Sequence, residues 1–115
     1  MFWRRIQAVL IAQFDVYHNP SQTTQKAYPY IVDIQNPVVS GISTRIVVPL
    51  GHLQQFKNQS MKGLTPEIEY DGEKLLLLLP QTTSIPAKTL KNPIASLSHF
   101  RDEILAVLDF AITGI

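Results

Sequence analysis

Alternating apolar and polar residues fill the first half of the chain and predict β-strands. Phe14 and Val16 alternate with polar side chains, the same period returns in 28–35, and segment 44–50 holds a short apolar run before its proline. A period of two is typical of a strand with one buried face. We expect an antiparallel pair followed by a third strand that ends at Pro49. The more exposed face of the first strand would carry Gln13, Asp15 and Tyr17.

The dipeptide Asp71-Gly72 is the clearest local signal in the chain. It stands between segments 65–70 and 73–79, and Asp-Gly accepts the positive φ angles of a type I′ turn, so a β-hairpin is predicted. Leu75 to Leu79 run without alternation, which is typical of a strand buried on both faces. A further short strand is expected within 84–90, before Asn92-Pro93.

The last segment changes period. Between Leu97 and Ile112 apolar residues recur every three or four positions, which predicts an amphipathic helix that Ser96 or Ser98 caps. Gly114 suits the position after the last helical residue. The pattern as a whole predicts a mainly β domain with a C-terminal α-helix.

Length and charge narrow the class of protein. The chain has 115 residues, which fits one domain, and it is 45% hydrophobic and 17% charged, enough to bury one core. Its formal net charge is +1, so no basic field that would favour non-specific nucleic-acid binding is present.

The absence of cysteine excludes disulfides, thiolate metal sites and a cysteine nucleophile, and fits a reducing cytoplasm, which is the predicted location. The longest apolar runs, 8–12 and 75–79, are far shorter than the roughly 20 residues of a membrane-spanning helix, so no membrane partner is expected. Residues 1–12 have a basic head and an apolar run that is short for a secretory signal. We therefore interpret 1–12 as an N-terminal extension of unknown role and 13–115 as a single domain.

Few residues fall into patterns that indicate chemistry. The three histidines are scattered and no nucleotide-binding motif occurs, so we expect no metal, no cofactor and no catalytic site. Acidic residues around the hairpin fit a solvated strand edge better than an acid–base pair. Metal-free RNA cleavage stays open as an alternative, although no spacing selects its candidates, which are Thr44, Arg45, Lys74, Lys88 and Arg101.

The chain ends in Thr113-Gly114-Ile115. This ending puts an aliphatic residue and a carboxylate at the negative pole of the predicted helix, where negative charge is unfavourable. Two interpretations follow. Ile115 folds back onto the sheet, or the helix presents Ile115 and its carboxylate as an anchor for another protein, with Gly114 permitting close approach.

In their order along the chain, several segments resemble the CcdB toxins of toxin–antitoxin modules. The similarity runs from about Gln13 to the last residue. The matching segments are Gln13-Phe14-Asp15-Val16-Tyr17, Tyr30-Ile31-Val32-Asp33-Ile34-Gln35, Thr44-Arg45-Ile46-Val47-Val48-Pro49-Leu50, Thr82-Thr83-Ser84-Ile85-Pro86, Leu97-Ser98-His99 and Gly114-Ile115.

The resemblance implies an SH3-like barrel, with an antiparallel sheet, a small second sheet and the C-terminal helix, that forms a homodimer. It also implies a toxin that binds the DNA gyrase A subunit and traps gyrase on cleaved DNA without catalysing a reaction. A CcdA-like antitoxin would neutralise it, and operator DNA would be bound only through the toxin–antitoxin complex. The gyrase-binding residues implied are Thr113, Gly114, Ile115, Asp109, Val38 and Val39, and the antitoxin-binding residue is Tyr17.

One position departs from the family pattern. The best-known ending is Trp-Gly-Ile, and Thr113 stands here at the tryptophan position. Loss of an aromatic anchor at an interface costs on the order of 2 kcal/mol or more, so gyrase would be bound more weakly or through other contacts. MazF-like ribonucleases resemble this fold too, so fold alone leaves RNA cleavage as the alternative mechanism.

Overall fold

Seven antiparallel strands and a C-terminal helix form the protein in a computed structural model that describes residues 13–35, 43–59 and 65–113. The strands are hydrogen-bonded in the order β4-β5-β3-β2-β1-β7, and β6 pairs with β3 beside this path. The sheet curls into a half-barrel, so the SH3-like barrel with a C-terminal helix is confirmed. The bounds of the strands are β1 Asp15–His18, β2 Tyr30–Asp33, β3 Thr44–His52, β4 Glu67–Tyr70, β5 Glu73–Leu77, β6 Thr83–Pro86 and β7 Ala95–Ser96.

The described residues include two α-helices, which differ greatly in length. Helix α1 is a single turn, Leu53–Phe56, whereas α2 spans Arg101–Thr113 and follows a 3₁₀ turn at Ser98–Phe100. The amide of Ser98 donates to Oγ of Ser96, but Leu97 flanks the 3₁₀ turn without a side-chain cap and α2 begins only at Arg101, so the predicted cap by Ser96 or Ser98 is wrong. Further 3₁₀ turns are Lys57–Gln59, Leu79–Gln81 and Ala87–Thr89.

The predicted hairpin is confirmed. Tyr70 of β4 is paired with Glu73 of β5, and the two turn residues have φ angles of 52° at Asp71 and 77° at Gly72. Two successive positive φ angles are those of a type I′ turn, which matches the twist of the flanking strands. Leu75 to Leu79 are all at most 4% exposed, so the leucine run is buried on both faces as predicted.

Strand β3 is longer than predicted, because Pro49 does not end it. β3 continues to His52, and its edge is shared by β6, which pairs with 44–47, and β5, which pairs with 50–52. The carbonyl of Pro49 faces that edge, since it accepts a hydrogen bond from the Leu78 amide at 3.0 Å. The missing N–H of Pro49 therefore lies between the two pairing partners, where it removes no ladder hydrogen bond.

One face of the sheet forms the main core with α2. Side chains from β1, β2, β3 and β5 pack there against Ile104 and Val107 of the helix. Leu97 and Phe14 close the core beside β7, and the Leu97 amide donates to the Phe14 carbonyl at 2.8 Å. The helix is thus held along one side, and its other side is exposed.

The prediction of a half-buried first strand is wrong, because both faces of β1 are covered. Asp15 is 6% exposed and Tyr17 is 8% exposed, whereas Gln13 is partly buried. Tyr17 packs with Ile31, Val47 and Ile85, so a second apolar cluster covers the face that alternation assigned to solvent.

The region 84–90 is also more broken than predicted. Strand β6 ends at Pro86 and a 3₁₀ turn follows, and β7, which the pattern did not indicate, pairs with β1 through Asp15 and Val16. The smaller sheet takes the form of a branch, since β6 joins the main sheet through β3. The predicted extension 1–12 lies outside the described residues.

Candidate functional site

The face of the sheet opposite α2 carries an open groove of about 440 Å³. Ile31 and Val47 form its floor, and its walls come from the β1–β2 loop and from 81–89. All of the lining side chains are uncharged, and most of the lining surface is apolar. Such a groove suits an uncharged, apolar segment of a partner.

Aromatic stacking holds one wall of this groove. Tyr28 lines the groove and stacks on Phe56 of α1, with ring centroids 5.2 Å apart. At the other end of the loop, the side-chain amide of Asn19 donates to the backbone carbonyl of Tyr28 at 2.8 Å and to the Thr24 hydroxyl at 3.0 Å. The long β1–β2 loop is therefore fixed at both ends, which preforms the groove.

A buried polar network occupies the other end of the same face. Arg45 Nε donates to Asp33 Oδ2 at 2.9 Å, and the Arg45 guanidinium also donates to the Gln35 carbonyl at 3.3 Å. The backbone N–H of Gln35 donates to Asp33 Oδ1. The side-chain oxygen of Gln35 accepts a hydrogen bond from the backbone N–H of Ile46. The network thus satisfies Asp33, which is 1% exposed, and ties β2 to the start of β3.

Asp15 lies beside this network. The pairing of β1 with β2 runs from Val16 and Val32 to His18 and Tyr30, and Asp15 and Asp33 are the residues next to its first pair on the two strands. Burial, and then the negative charge of Asp33, raise the pKa of Asp15 to about 6. Burial, followed by the charges of Asp15 and Asp33, also raises the pKa of Tyr17.

The C-terminal half of α2 carries two of the residues predicted to bind gyrase. Asp109 is exposed, and Thr113 is the last residue of the helix, one turn further on. The helix also exposes Phe110, at 45%, and Leu105, at 36%. The predicted residues Gly114, Ile115, Val38 and Val39 lie outside the described residues.

The predicted antitoxin contact, Tyr17, lies away from the C-terminal half of α2, on the other face of the sheet. Its side chain is buried beneath the wall of the groove and packs on Ile31 and Val47, which form the groove floor. Tyr17 therefore supports the groove from below. Its ring is on the face of the sheet opposite α2, so the structure separates it from Asp109 and Thr113.

The candidates for RNA cleavage are not gathered into one site. Arg45 is engaged by Asp33, and its side chain is only 12% exposed, whereas Thr44 is exposed and neighbours on a strand point to opposite faces. Thr44 and Lys88 line a shallow cleft with Pro86, and Arg101 begins α2. Arg45 therefore has a structural role, because its guanidinium is held in an ion pair with Asp33.

Sequence reasoning missed the groove and the buried pair of carboxyls. The apolar residues that form the groove floor are visible in the sequence, but its walls come from segments about 60 residues apart. Asp15 is the first residue of β1 and Asp33 is the last residue of β2, so an acidic residue at the adjoining ends of two antiparallel strands was the available signal.

In the parts of the chain that the structure describes, no three or more His, Cys, Asp or Glu side chains are grouped as metal ligands would be. Across those same residues, no helix has the length and apolar character needed to cross a membrane. A protein-family model described as "CcdB protein" matches residues 13–114. The match covers nearly the whole chain and leaves out residues 1–12 and Ile115.

Proposed function

Because this chain belongs to the CcdB family and is therefore a toxin of a toxin–antitoxin system, we propose that it poisons DNA gyrase by binding the gyrase A subunit. The toxin traps gyrase on cleaved DNA and acts by binding, not by catalysis. The observation that carries the proposal is the family match, which extends to Gly114, the next-to-last residue.

The geometry of α2 supports this proposal. Ile104 and Val107 anchor the helix in the core, while Asp109 and Phe110 project from the opposite side of its last turns. A helix fixed along one side presents its end with little loss of conformational entropy on binding. Thr113, Gly114 and Ile115, with Asp109 and the connection at Val38 and Val39, form the proposed gyrase contact.

An exposed aromatic side chain on α2 lies close to the position where the family ending has tryptophan. Phe110 precedes Thr113 by three residues, so the two positions are neighbours on the helix surface. Phe110 supplies an aromatic ring close to the position where the family ending has tryptophan. Poisoning by this toxin therefore depends on both the tail and Phe110.

An antitoxin resembling CcdA neutralises the toxin in this proposal. The groove above Tyr17 offers it an uncharged apolar surface, distinct from the end of α2. An antitoxin that occupies the groove leaves its own basic or acidic segments free for other contacts. Operator DNA is bound only through the toxin–antitoxin complex, since the toxin has a net charge of +1.

The toxin is proposed to act as a homodimer, within residues 13–115 as one toxin domain. Leu105 and Phe110 expose apolar surface along α2, which is typical of a helix that contacts another chain. Sedimentation equilibrium of the full chain measures the oligomeric state. A mass of one protomer across micromolar concentrations would contradict the dimer.

A DNA-cleavage assay tests the proposal. The full chain is mixed with gyrase, ATP and supercoiled plasmid, then detergent and protease are added before electrophoresis. We expect linear plasmid with the wild-type toxin and a loss of at least tenfold when residues 114–115 are removed. Arg101→Ala, an exposed change at the other end of α2, serves as the control and leaves the product unchanged.

Two results would contradict the proposal. Linear plasmid that persists undiminished without residues 114–115 would show that the tail is not the contact. No linear plasmid with the folded wild-type toxin would count against gyrase as the target. The same samples incubated with RNA then test the alternative, which predicts cleaved transcripts that depend on Thr44 or Arg101.

A further inference from the structure

The groove on the face of the sheet opposite α2 lies close to the point where residues 1–12 join the described chain. Its floor, Ile31 and Val47, packs on Tyr17, which is four residues from Gln13. Four residues of extended chain span at most about 14 Å. A segment that precedes Gln13 therefore has the groove floor within one strand length of its attachment.

Strand β1 leaves no free edge at its start to which an additional strand could be added. It is paired with β2 on one side and with β7 on the other. The φ angle of Phe14 is 70°, a left-handed conformation that bends the backbone away from the line of the strand. The Gln13 side chain ties this bend to β2 by donating to the Ile34 carbonyl at 3.3 Å. A strand formed by residues 1–12 beside the start of β1 is therefore excluded.

The sequence of residues 8–12 matches the chemistry of the groove. These residues are Ala-Val-Leu-Ile-Ala, which carry no charge. The side chains that line the groove are also uncharged, and most of the lining surface is apolar. The run can enter the groove without removing an ion from water, and its aliphatic side chains gain free energy when they are buried. The cations Arg4 and Arg5 precede the run and would stay outside the groove.

The length of the run also fits the groove. Five extended residues span at most about 18 Å, and the run is attached directly to Gln13. The groove volume of about 440 Å³ is in the range of sites that enclose a small ligand, so it suits a few aliphatic side chains. Because Asn19 and Tyr28 hold the wall in place, docking does not have to order the groove.

We propose that residues 8–12 occupy the groove of their own molecule and place Val9, Leu10 and Ile11 against its floor. The short tether gives the run an effective concentration on the order of millimolar at the groove. The family match begins at residue 13, so this occupant is a feature of this chain and not of the matched domain. One consequence rests on the proposed function, since an antitoxin that uses the groove must first displace the run.

Paramagnetic relaxation in NMR spectra of the full chain tests the docked run. The chain has no cysteine, so Ala8→Cys provides a single attachment site for a nitroxide and leaves the three larger aliphatic residues of the run unchanged. We expect the amide signals of Thr83 and Thr89, which line the groove, to lose more than half of their intensity relative to the reduced label. The signals of Leu105 and Phe110, the exposed apolar residues of α2, should keep their intensity.

Two matched variants of the labelled protein test the chemistry of docking. Val9→Asp puts a charge into the run and should restore most of the lost intensity at Thr83 and Thr89. Gln7→Asp adds the same charge just outside the run and should leave the loss unchanged. Intensity loss that spares the groove or is centred on α2 would overturn the proposal, and so would a loss that Val9→Asp does not reduce.

These measurements contain neither gyrase nor antitoxin, so they separate this proposal from the proposed function. Full intensity at Thr83 and Thr89 would remove the internal occupant and leave the gyrase contact as it stands. A toxin that gives no linear plasmid but shows the intensity loss in the groove would contradict gyrase as the target and support the docked run.

Discussion

The two faces of the sheet differ in what covers them. On one face, aliphatic side chains from five strands meet α2 in a continuous core that includes Leu75 and Leu77. On the other face, the neighbours Leu76 and Leu78 pack with Phe56 in a separate small cluster. That face also carries the cluster around Tyr17, the groove and the network of buried charges.

Because of this difference, we expect the residues that stabilise the fold and the residues that bind partners to lie on opposite faces of the sheet. A continuous apolar core has no buried charge to satisfy, whereas the opposite face needs Arg45 and Gln35 to satisfy Asp33. Buried ion pairs add specific geometry more dependably than they add stability. We therefore expect the helix-covered face to determine how stable the toxin is, and the other face to determine the shape of its groove and its response to pH.

The largest expected effect comes from breaking the network of charges. Arg45→Met keeps the length of the side chain but leaves Asp33 buried without its cation, which should lower the free energy of unfolding by about 4 kcal/mol at pH 7. Urea unfolding measures the change. The double variant Arg45→Met with Asp33→Asn removes both charges and should recover much of the loss, and no recovery would show that Arg45 matters through packing alone.

The next effect tests the helix-covered face. Leu77 is 0% exposed in the main core, so Leu77→Ala leaves a cavity and should lower the free energy of unfolding by about 3 kcal/mol. The loss should be the same at pH 5 and at pH 8, because the side chains of this cluster are aliphatic or aromatic and include no carboxyl or histidine. A loss that changed strongly with pH would break the distinction between the two faces.

Features that depend on neighbours in the sequence could be predicted. The Asp71-Gly72 turn needs only two positive φ angles, and the period of α2 is set by Leu97, Ile104 and Val107 within one segment. Burial of Asp15 and Tyr17 could not be predicted in this way. Burial of Tyr17 depends on contact with Ile85, about 70 residues further along the chain, which the pairing of β6 with β3 brings to β1.

The candidate site follows the same rule. The predicted gyrase contact is a sequence property, since Asp109 and Thr113 are one helical turn apart, and it remains a prediction. Pro49 lines the groove and lies within β3, where the sequence pattern indicated the end of the strand. β3 can contain Pro49 because this residue lies between the segments that pair with β6 and with β5. The local sequence around Pro49 does not show that pairing.

A smaller effect is expected at a close contact on the groove face. A Cβ added to Gly51 would lie 2.5 Å from two ring atoms of Phe56 and 3.2 Å from a methyl group of Leu78. Gly51→Ala should therefore displace the ring and lower the free energy of unfolding by about 2 kcal/mol. Combining it with Phe56→Leu makes room and should relieve part of the loss, and thermal unfolding of the single and double variants measures both.

The smallest effect on stability is expected in the groove. A variant there is also the sharpest test of whether the two faces of the sheet have different roles. Ile85 is only partly buried, so Ile85→Ala should cost about 1 kcal/mol of unfolding free energy. The same change removes part of the surface proposed for the antitoxin and should weaken antitoxin binding roughly tenfold, measured by calorimetry. Ile46→Ala is the matched control, since Ile46 is 43% exposed on the neighbouring strand and does not line the groove. If both variants bind the antitoxin with wild-type affinity, the groove is not its contact, whereas equal weakening in both would place the antitoxin across the edge of the sheet.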